Sequence, residues 1–310
     1  MKPRIFIDGE HGTTGLQIRE RLADRTDVEV TSLAHEDRHD KAKRKAMLGA
    51  CDVAILCLPD DAARESVAMI EATGNDDCRV IDTSTAHRTA EDWTFGFAEM
   101  AKDQADKIRN SKRVSNPGCY STGAIALLKP LIDAGLMATD FPITINAVSG
   151  YTGGGKQLIA QMEDKAHENH IDTAYHLYAL RLKHKHVPEI MSRSGLTKRP
   201  IFTPSVGRFA QGMLVSIPLH LDQLKGNPSC SDLIETLQQH YEGQSVVEVV
   251  TDADASAHIR PEDMAGSNNM KLYVMGDEET GHANLVAQLD NLGKGASGAA
   301  VQNLDLMISG

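Results

Sequence analysis

Short apolar runs alternate with amphipathic stretches over the first 85 residues of the chain. The runs at 4–9, 28–34, 52–59 and 79–84 have the length of single strands and contain Ile, Val and Leu. The stretches between them repeat apolar positions at helical spacing. This β-α-β-α-β rhythm predicts an α/β Rossmann-type nucleotide-binding domain, with a parallel sheet and helices on both faces.

The pattern changes after about residue 210, where four further apolar runs look like strands separated by turns. They span residues 213–221, 245–250, 269–276 and 283–292. The pattern predicts an α+β domain with a mainly antiparallel sheet. We therefore expect a nucleotide-binding domain of residues 1–118 plus a C-terminal helix within 293–310, and a second domain of residues 119–292.

Three glycines at three-residue spacing follow the first predicted strand, in "GEHGTTG". Gly9, Gly12 and Gly15 would let the chain turn tightly, so that the first helix presents its N-terminal N–H groups to a pyrophosphate. We predict that these glycines bind a dinucleotide together with Thr13 and Thr14.

The end of the second predicted strand bears on the choice of cofactor. An NAD site normally has an acidic residue there, whereas this chain has Ala34 and His35, with Arg38 just beyond. His35 and Arg38 would suit a 2′-phosphate, which favours NADP. The alternative is a surface loop of mixed charge, because Glu36 and Asp37 stand between them.

The five cysteines are odd in number and lack Cys-x-x-Cys spacing, which predicts neither a disulfide framework nor a zinc site. Cys119, in "SNPGCYSTG", lies between a Pro-Gly turn and a stretch with helical spacing, which Pro130 should bend or end. A helix N-terminus stabilises a thiolate, the attacking form of cysteine. We interpret Cys119 as a catalytic nucleophile, the alternative being a turn cysteine without a chemical role.

His184 and His186 are the candidate partners of this nucleophile. On an extended segment, positions i and i+2 face the same side, so that one histidine could act as acid–base while the other binds substrate. A metal site that includes Glu189 is the alternative.

A second glycine cluster, "SGYTGGGKQ", follows a predicted strand and precedes a predicted helix. It differs from a P-loop at Gln157, where a hydroxyl should hold Mg²⁺, and this argues against NTP hydrolysis. Its N–H groups and lysine would suit a substrate phosphate or carboxylate. The predicted substrate-binding residues of this cluster are Ser149, Gly150, Gly153, Gly154 and Lys156.

Composition narrows the class of protein. Charged residues make up 24% and hydrophobic residues 41%, as in an ordinary globular protein. The net charge of −11 would repel nucleic acid. No segment approaches the ~20 apolar residues of a membrane span or has the pattern of a signal peptide, so we expect a cytoplasmic protein with no membrane partner. We also expect no bound metal, because the cysteines lack the spacing of a zinc site.

Together, "GEHGTTG", "DTSTAHR", "SNPGCYSTGAIALLKPL", "SGYTGGGK", "KHKHVPEI" and "NLGKGASGAAVQNL" resemble the short form of the N-acetyl-γ-glutamyl-phosphate reductase family. More distantly, the chain is similar to aspartate-semialdehyde dehydrogenase. The resemblance implies NADPH-dependent reduction of an acyl phosphate to N-acetyl-glutamate 5-semialdehyde and phosphate, through a thioester on Cys119, in arginine biosynthesis. It also implies a homodimer or homotetramer whose second domain is catalytic and dimerises.

The resemblance implies further roles for individual residues. Arg88 would bind the substrate phosphate, the alternative being a surface salt bridge, and Leu58, Pro59 and "GKGASG" would border the nicotinamide. Either His184 or His186 would be the acid–base. Arg208 receives no role. Two other functions fit less well: a related reductase acting on a substrate such as aspartyl phosphate, and a non-catalytic nucleotide-binding regulator, which would not use an activated thiol.

Overall fold

The computed structural model describes residues 1–252 and 258–309, and their contacts divide the chain into two compact units. The first contains Met1–Ala98, Asp103–Gly118 and the chain from Ala296 onwards; the second contains Glu99–Lys102 and Cys119–Gly295. Residues 99–102 and 293–295 therefore belong to the second unit, whereas the predicted boundaries placed them in the first domain. The parts of the predicted domains that fall on 253–257 and Gly310 lie outside the described residues.

The first unit is built on a 6-stranded sheet in the order β2-β1-β3-β4-β6-β5, in which all neighbouring strands are parallel. The strands are β1 (Arg4–Asp8), β2 (Glu29–Thr31), β3 (Val53–Leu56), β4 (Arg79–Asp82), β5 (Thr94–Phe95) and β6 (Arg113–Ser115). The helices are α1 (Thr13–Leu22), α2 (Lys41–Ala50), α3 (Asp60–Glu71), α4 (Gln104–Asn110) and a C-terminal helix (Gly298–Ile308). This topology confirms the predicted Rossmann-type fold.

Helices cover both faces of this sheet because successive strand residues point to opposite sides. Ile5 and Ile7 pack in one buried cluster with Leu304 of the C-terminal helix. Phe6, between them in sequence, packs in a second cluster with Leu48 of α2. Strands that are apolar on both sides are typical of a parallel sheet.

The second unit is built on a 7-stranded sheet in the order β11-β12-β13-β10-β7-β9-β8. Its strands are β7 (Thr144–Gly150), β8 (Tyr175–Leu177), β9 (Ile201–Gly207), β10 (Met213–His220), β11 (Val247–Val250), β12 (Met270–Asp277) and β13 (His282–Leu289). Its helices are α5 (Cys119–Asp133), α6 (Gly155–Glu163), α7 (His186–Ser194) and α8 (Cys230–His240). The β7–β9 and β11–β12 pairs are parallel and the other neighbouring pairs are antiparallel, which confirms a mainly antiparallel sheet.

One local prediction for this unit was wrong, and one alternative of another is excluded. Helix α8 lies between β10 and β11, where only a turn was expected; its Leu233 and Leu237 are buried, and Ser229 and Asp232 form a capping box at its start. Pro130 was expected to bend or end α5; it does not end the helix, which continues to Asp133, and the bend stays a prediction. The burial of its side chains, most of them fully enclosed, outweighs the helix-breaking effect of the proline.

No helix within the described residues is long and apolar enough to span a membrane.

Candidate active site

Cys119 is the first residue of α5 and is partly exposed. The backbone of Gly295 lies against it: a Cβ atom built on Gly295 would stand 2.7 Å from the Cβ of Cys119. Only a glycine permits that approach. The structure thus places the thiol at a helix N-terminus, the position expected from the sequence, and its role as nucleophile stays a prediction.

The two candidate histidines are neighbours in space, although the predicted extended segment was wrong. Lys185 has helical φ and ψ of −63° and −20°, and His186 is the first residue of α7. The two rings meet edge to face, with centroids 4.7 Å apart. The His186 backbone N–H donates to His184 Nδ1 at 3.1 Å, so a local hydrogen bond rather than strand alternation holds the pair together.

Two tyrosines that the sequence did not single out lie beside this pair. The Tyr178 hydroxyl is 3.2 Å from His184 Nε2. The Tyr120 ring stands edge-on to the His184 ring at 5.8 Å, and its hydroxyl donates to the Ser205 carbonyl at 2.9 Å. Burial raises the pKa of both tyrosines, and negative charge on Cys119 adds to the rise. The tyrosines, the histidines and Cys119 therefore form one group within the second unit.

The second glycine cluster forms a strand–turn–helix, from β7 through Tyr151–Gly154 into α6. The Gly150 N–H donates to the Gly212 carbonyl at 2.9 Å, and a Cβ on Gly150 would lie 2.4 Å from the Ala210 carbonyl oxygen. The turn is therefore pressed against residues 209–212. Ser149 is buried, whereas Gly153, Gly154 and Lys156 are exposed at the start of α6, where an anion could reach them.

Asn291 ties this turn to its support and was missed by sequence reasoning. The side chain is 1% exposed. Its Oδ1 accepts from the Gly212 N–H at 2.8 Å, and its Nδ2 donates to Thr152 Oγ1 at 3.0 Å. Asn291 stands 139 residues from Thr152 in the chain, so no local pattern could have indicated the contact.

Arg208, for which the sequence suggested no role, anchors the segment after α6. Its guanidinium donates to the carbonyl oxygens of Thr173 at 3.0 Å and Met162 at 2.9 Å, and also to that of Ile171. These are backbone acceptors, so Arg208 holds the shape of residues 162–173.

In the first unit, the glycine turn before α1 forms a cradle. Gly9 has φ of +88°, and a Cβ there would lie 2.4 Å from the Cys57 carbonyl oxygen. The Gly12 N–H donates to the Gly9 carbonyl at 3.0 Å, and Gly15 packs against the Glu10 backbone. Thr13 Oγ1 is buried and has no hydrogen-bond partner within the described residues. At a helix N-terminus, a hydroxyl in this state is suited to donate a hydrogen bond to the diphosphate of a cofactor.

The other predicted cofactor residues flank this cradle. Leu58 packs against Gly9, and Pro59 directly precedes α3, while Thr14 lies in the first turn of α1. Strand β2 ends at Thr31, so the expected strand end at Ala34 and His35 was wrong. His35 begins a short 3₁₀ turn instead, because the backbone there leaves the extended conformation.

His35 and Arg38 lie together beyond β2. Arg38 donates from NH1 to the His35 carbonyl at 2.6 Å, and the His35 ring meets that of His11, in the glycine turn, at 4.7 Å. Their role towards a 2′-phosphate stays a prediction.

Arg88 is buried, at 7% exposed, rather than at the surface. Its Nε donates to the Asn116 carbonyl and its NH2 to the Thr83 carbonyl, both at 2.9 Å. The turn that carries it is fixed by Asp82, which accepts hydrogen bonds from Ser84 and lies 2.6 Å from His87 Nδ1. The guanidinium is therefore rigidly placed, and phosphate binding stays a prediction.

Comparison with known proteins identifies the family. Residues 4–108 match the NAD binding domain of semialdehyde dehydrogenase, and residues 119–291 match its dimerisation domain. The N-acetyl-γ-glutamyl-phosphate reductases of Brucella ovis and Brucella anthropi are each 57% identical to the chain over 310 residues. Each alignment covers 99% of this chain and 99% of the relative. The chain belongs to the N-acetyl-γ-glutamyl-phosphate reductase family.

Solved structures similar to this reductase-family chain include aspartate semialdehyde dehydrogenases. Aspartate semialdehyde dehydrogenase II of Vibrio cholerae has a TM-score of 0.74 at 16% identity, and the alignment covers 100% of this chain and 99% of the Vibrio chain. That of Francisella tularensis has a TM-score of 0.74 at 12% identity, covering 99% and 100%. At these identities the likeness shows a shared fold.

The arrangement in this reductase-family chain suits acyl transfer to sulfur. A partly exposed thiol begins a helix, and a histidine pair and two tyrosines lie in the same unit. Among the residues that the structure describes, no group of three or more His, Cys, Asp or Glu side chains is placed to bind a metal. The thiol offers a nucleophile, and the histidines and tyrosines offer groups that can donate a proton.

Proposed function

We propose that the chain reduces N-acetyl-γ-glutamyl phosphate with NADPH, giving N-acetyl-glutamate 5-semialdehyde and phosphate in arginine biosynthesis. The observation that carries this proposal is the 57% identity to reductases of that name over 99% of both chains. The placement of Cys119 at the start of α5 supports it, because an acyl phosphate needs a nucleophile that then leaves.

Cys119 performs the covalent step. Its thiolate attacks the acyl carbon, a C–S bond forms, and the C–O bond to phosphate breaks, with the electron pair leaving on phosphate. The N-terminus of α5 stabilises the thiolate that attacks. NADPH, when bound, supplies the hydride that reduces the thioester carbon; the C–S bond then breaks, and Cys119 returns as thiolate with the aldehyde released.

The histidine pair supplies the proton that the departing phosphate takes up. We assign this role to His186 because His184 Nδ1 already accepts the His186 N–H and cannot be protonated while that bond lasts. Tyr178, hydrogen-bonded to His184 Nε2, holds the ring in place. The proton returns to His186 from solvent, so that each turnover consumes one.

The remaining predicted residues bind the two substrates. In the second unit, the turn of residues 149–156 offers N–H groups and an ammonium to an anionic group of the substrate. In the first unit, Arg88 is the predicted phosphate ligand, because a guanidinium binds phosphate oxygens. The first glycine turn would hold the diphosphate of the cofactor, His35 and Arg38 would hold its 2′-phosphate, and Leu58 and Pro59 would border its nicotinamide.

The protein works as a cytoplasmic homodimer or homotetramer. Five large apolar side chains of the second unit are at least 43% exposed. They are Tyr175, Leu177, Leu180, Leu182 and Ile201. They lie on or next to β8 and β9 at one edge of the sheet, within the range that matches a dimerisation domain. An apolar patch of this kind is typical of a protein–protein contact, here with a second copy of the chain.

The reverse reaction tests the proposed activity. Purified chain should reduce NADP⁺ when given N-acetyl-glutamate 5-semialdehyde together with phosphate or arsenate, and should not do so without the anion. Cys119→Ser should lower kcat by several orders of magnitude because a hydroxyl is a far poorer nucleophile than a thiolate. Cys230→Ser, which alters a partly exposed thiol in α8, is the matched control and should keep the rate.

Two results would contradict the proposal. Turnover that needs no anion would exclude an acyl phosphate, and faster turnover with aspartate semialdehyde would assign the chain to a related reductase.

A further inference from the structure

The second unit contains an ion pair to which the proposed reaction assigns no chemical step, although the resemblance places Lys294 in the stretch that would border the nicotinamide. Lys294 Nζ lies 2.6 Å from Glu99 Oε2, and each side chain is 1% exposed. Burial lowers the pKa of Lys294, while the neighbouring carboxylate opposes that effect. Removing two charges from water is costly, and an apolar pair of similar size often stabilises a fold as well or better. Stability alone therefore explains this pair poorly.

The place of Lys294 suggests another role. It lies in a π-helical turn, Gly293–Ser297, in which the Gly295 N–H donates to the Asp290 carbonyl at 2.9 Å. Single π-helical turns are frequent at functional sites. The next residue, Gly295, is the one whose backbone is pressed against Cys119. One peptide unit thus separates the buried ammonium from the backbone that contacts the thiol-bearing residue.

The carboxylate end of the pair is also fixed. Glu99 belongs to a four-residue segment, Glu99–Lys102, that lies in the second unit. Its neighbour Met100 accepts a hydrogen bond from His240 Nε2 at 3.1 Å, at the end of α8. The adjacent Tyr241 donates to the Ala126 carbonyl of α5 at 2.8 Å. The helix that begins with Cys119 and the segment that carries Glu99 are therefore both tied to the end of α8.

We infer that the Glu99–Lys294 ion pair is a positioning device that holds the Gly295 backbone against Cys119. A charge-assisted bond fixes both a distance and a direction, which an apolar contact does not. It keeps residues 293–295 where they limit the movement of the Cys119 side chain, so that the sulfur stays in line for attack. Glu99 and Lys294 are positioning residues, and the inference rests on the proposed role of Cys119.

A charge-free replacement of the pair separates positioning from stability. In the double variant Glu99→Leu/Lys294→Met, we expect a Tm equal to or above that of the wild type. We expect kcat and the rate of Cys119 alkylation by iodoacetamide to change, with kcat lower by about 100-fold, the effect of a displacement of about 1 Å. A double variant with wild-type Tm, kcat and alkylation rate would overturn the inference.

A second variant tests the contact itself and does not depend on the folding of the first. Gly295→Ala leaves both charges in place and puts a methyl group against Cys119. It should lower kcat by a similar factor, and an unchanged kcat would count against the inference. Arg25→Met, which breaks the ion pair of Arg25 with Asp305 in the first unit, is the control and should leave kcat unchanged.

Failure of the proposed function would be visible separately. If wild-type chain shows no reductase turnover, the proposed function is wrong, and the alkylation rates decide the inference alone. Equal rates of Cys119 labelling in wild type, the double variant and Gly295→Ala would then exclude positioning.

Discussion

A single backbone hydrogen bond distinguishes the two candidate histidines, and the roles proposed for them follow from it. Because His184 Nδ1 accepts the His186 N–H, the neutral His184 ring carries its proton on Nε2, where it donates to the Tyr178 hydroxyl. Protonating His184 at Nδ1 would break the bond to His186. This is the reason for giving the proposed role of acid to His186.

Substitution of each histidine tests this division. His186→Gln should lower kcat by about 100-fold or more, the usual contribution of a general acid. His184→Gln should have a smaller effect, because it removes an orienting ring rather than the proton donor. The limb of the kcat pH profile that reports the acid should vanish in His186→Gln alone. A larger loss of kcat in His184→Gln would reverse the assignment.

The residues that could be predicted are those whose signals are local. A Pro-Gly turn followed by apolar helical spacing predicts Cys119 at a helix start, and three glycines after a strand predict the turn before α1. Asn291 could not be predicted, because only long-range packing brings it to Thr152. Tyr178 stands 6 residues from His184 but was missed, because the segment between β8 and α7 has no regular period that places the two side chains together. The spacing of His184 and His186 correctly predicted that the two side chains are neighbours. The assumed extended segment was wrong, because the chain enters helix α7 at His186.

Among the elements, α8 couples the stability of the second unit to pH. Its last residue, His240, is partly buried and donates from Nε2 to the Met100 carbonyl. Burial lowers the pKa of His240 below its usual value, although the hydrogen bond to Met100 opposes the change. The folded chain therefore binds a proton at this ring less readily than the unfolded chain does.

The sign of the pH effect follows from this difference. Above about pH 7.5 both states are neutral at His240, and below about pH 6.5 the unfolded chain takes up a proton first, so the free energy of unfolding falls. His240→Gln can keep the bond to Met100 but removes the titration. Urea unfolding between about pH 8 and pH 5.5 should show a steeper loss of stability in the wild type than in this variant. Parallel curves would contradict the prediction.

The helices and strands were predicted correctly where the spacing of apolar residues in the sequence matches the burial of those residues in the structure. The buried parallel strands of the first unit read as short apolar runs, and they are strands. Helix α8 was missed because its apolar positions, Leu233 and Leu237, are few and its other face is polar. Pro130 was expected to bend or end α5, yet tertiary burial carries the helix on to Asp133.

For the molecule as a whole, the apolar edge of the second unit predicts self-association. Leu180 is 75% exposed there, and Leu16 in the first unit is a matched control at 41%. Leu180→Asp should lower the mass measured by light scattering at a given concentration, because it puts a charge into an apolar contact. Leu16→Asp should not. A wild-type chain that is monomeric at micromolar concentration would remove the basis for this interface.

The C-terminal helix has a consequence for how the protein is made. Its Ala300, Leu304 and Met307 belong to the same buried cluster as Ile5 and Ile7 of β1. On the ribosome, the first strand emerges long before those side chains are synthesised, so the core of the nucleotide-binding unit cannot close until residues 300–307 have been made. Premature termination within the last helix should therefore leave an aggregation-prone nascent chain, even though every strand of the sheet has been translated.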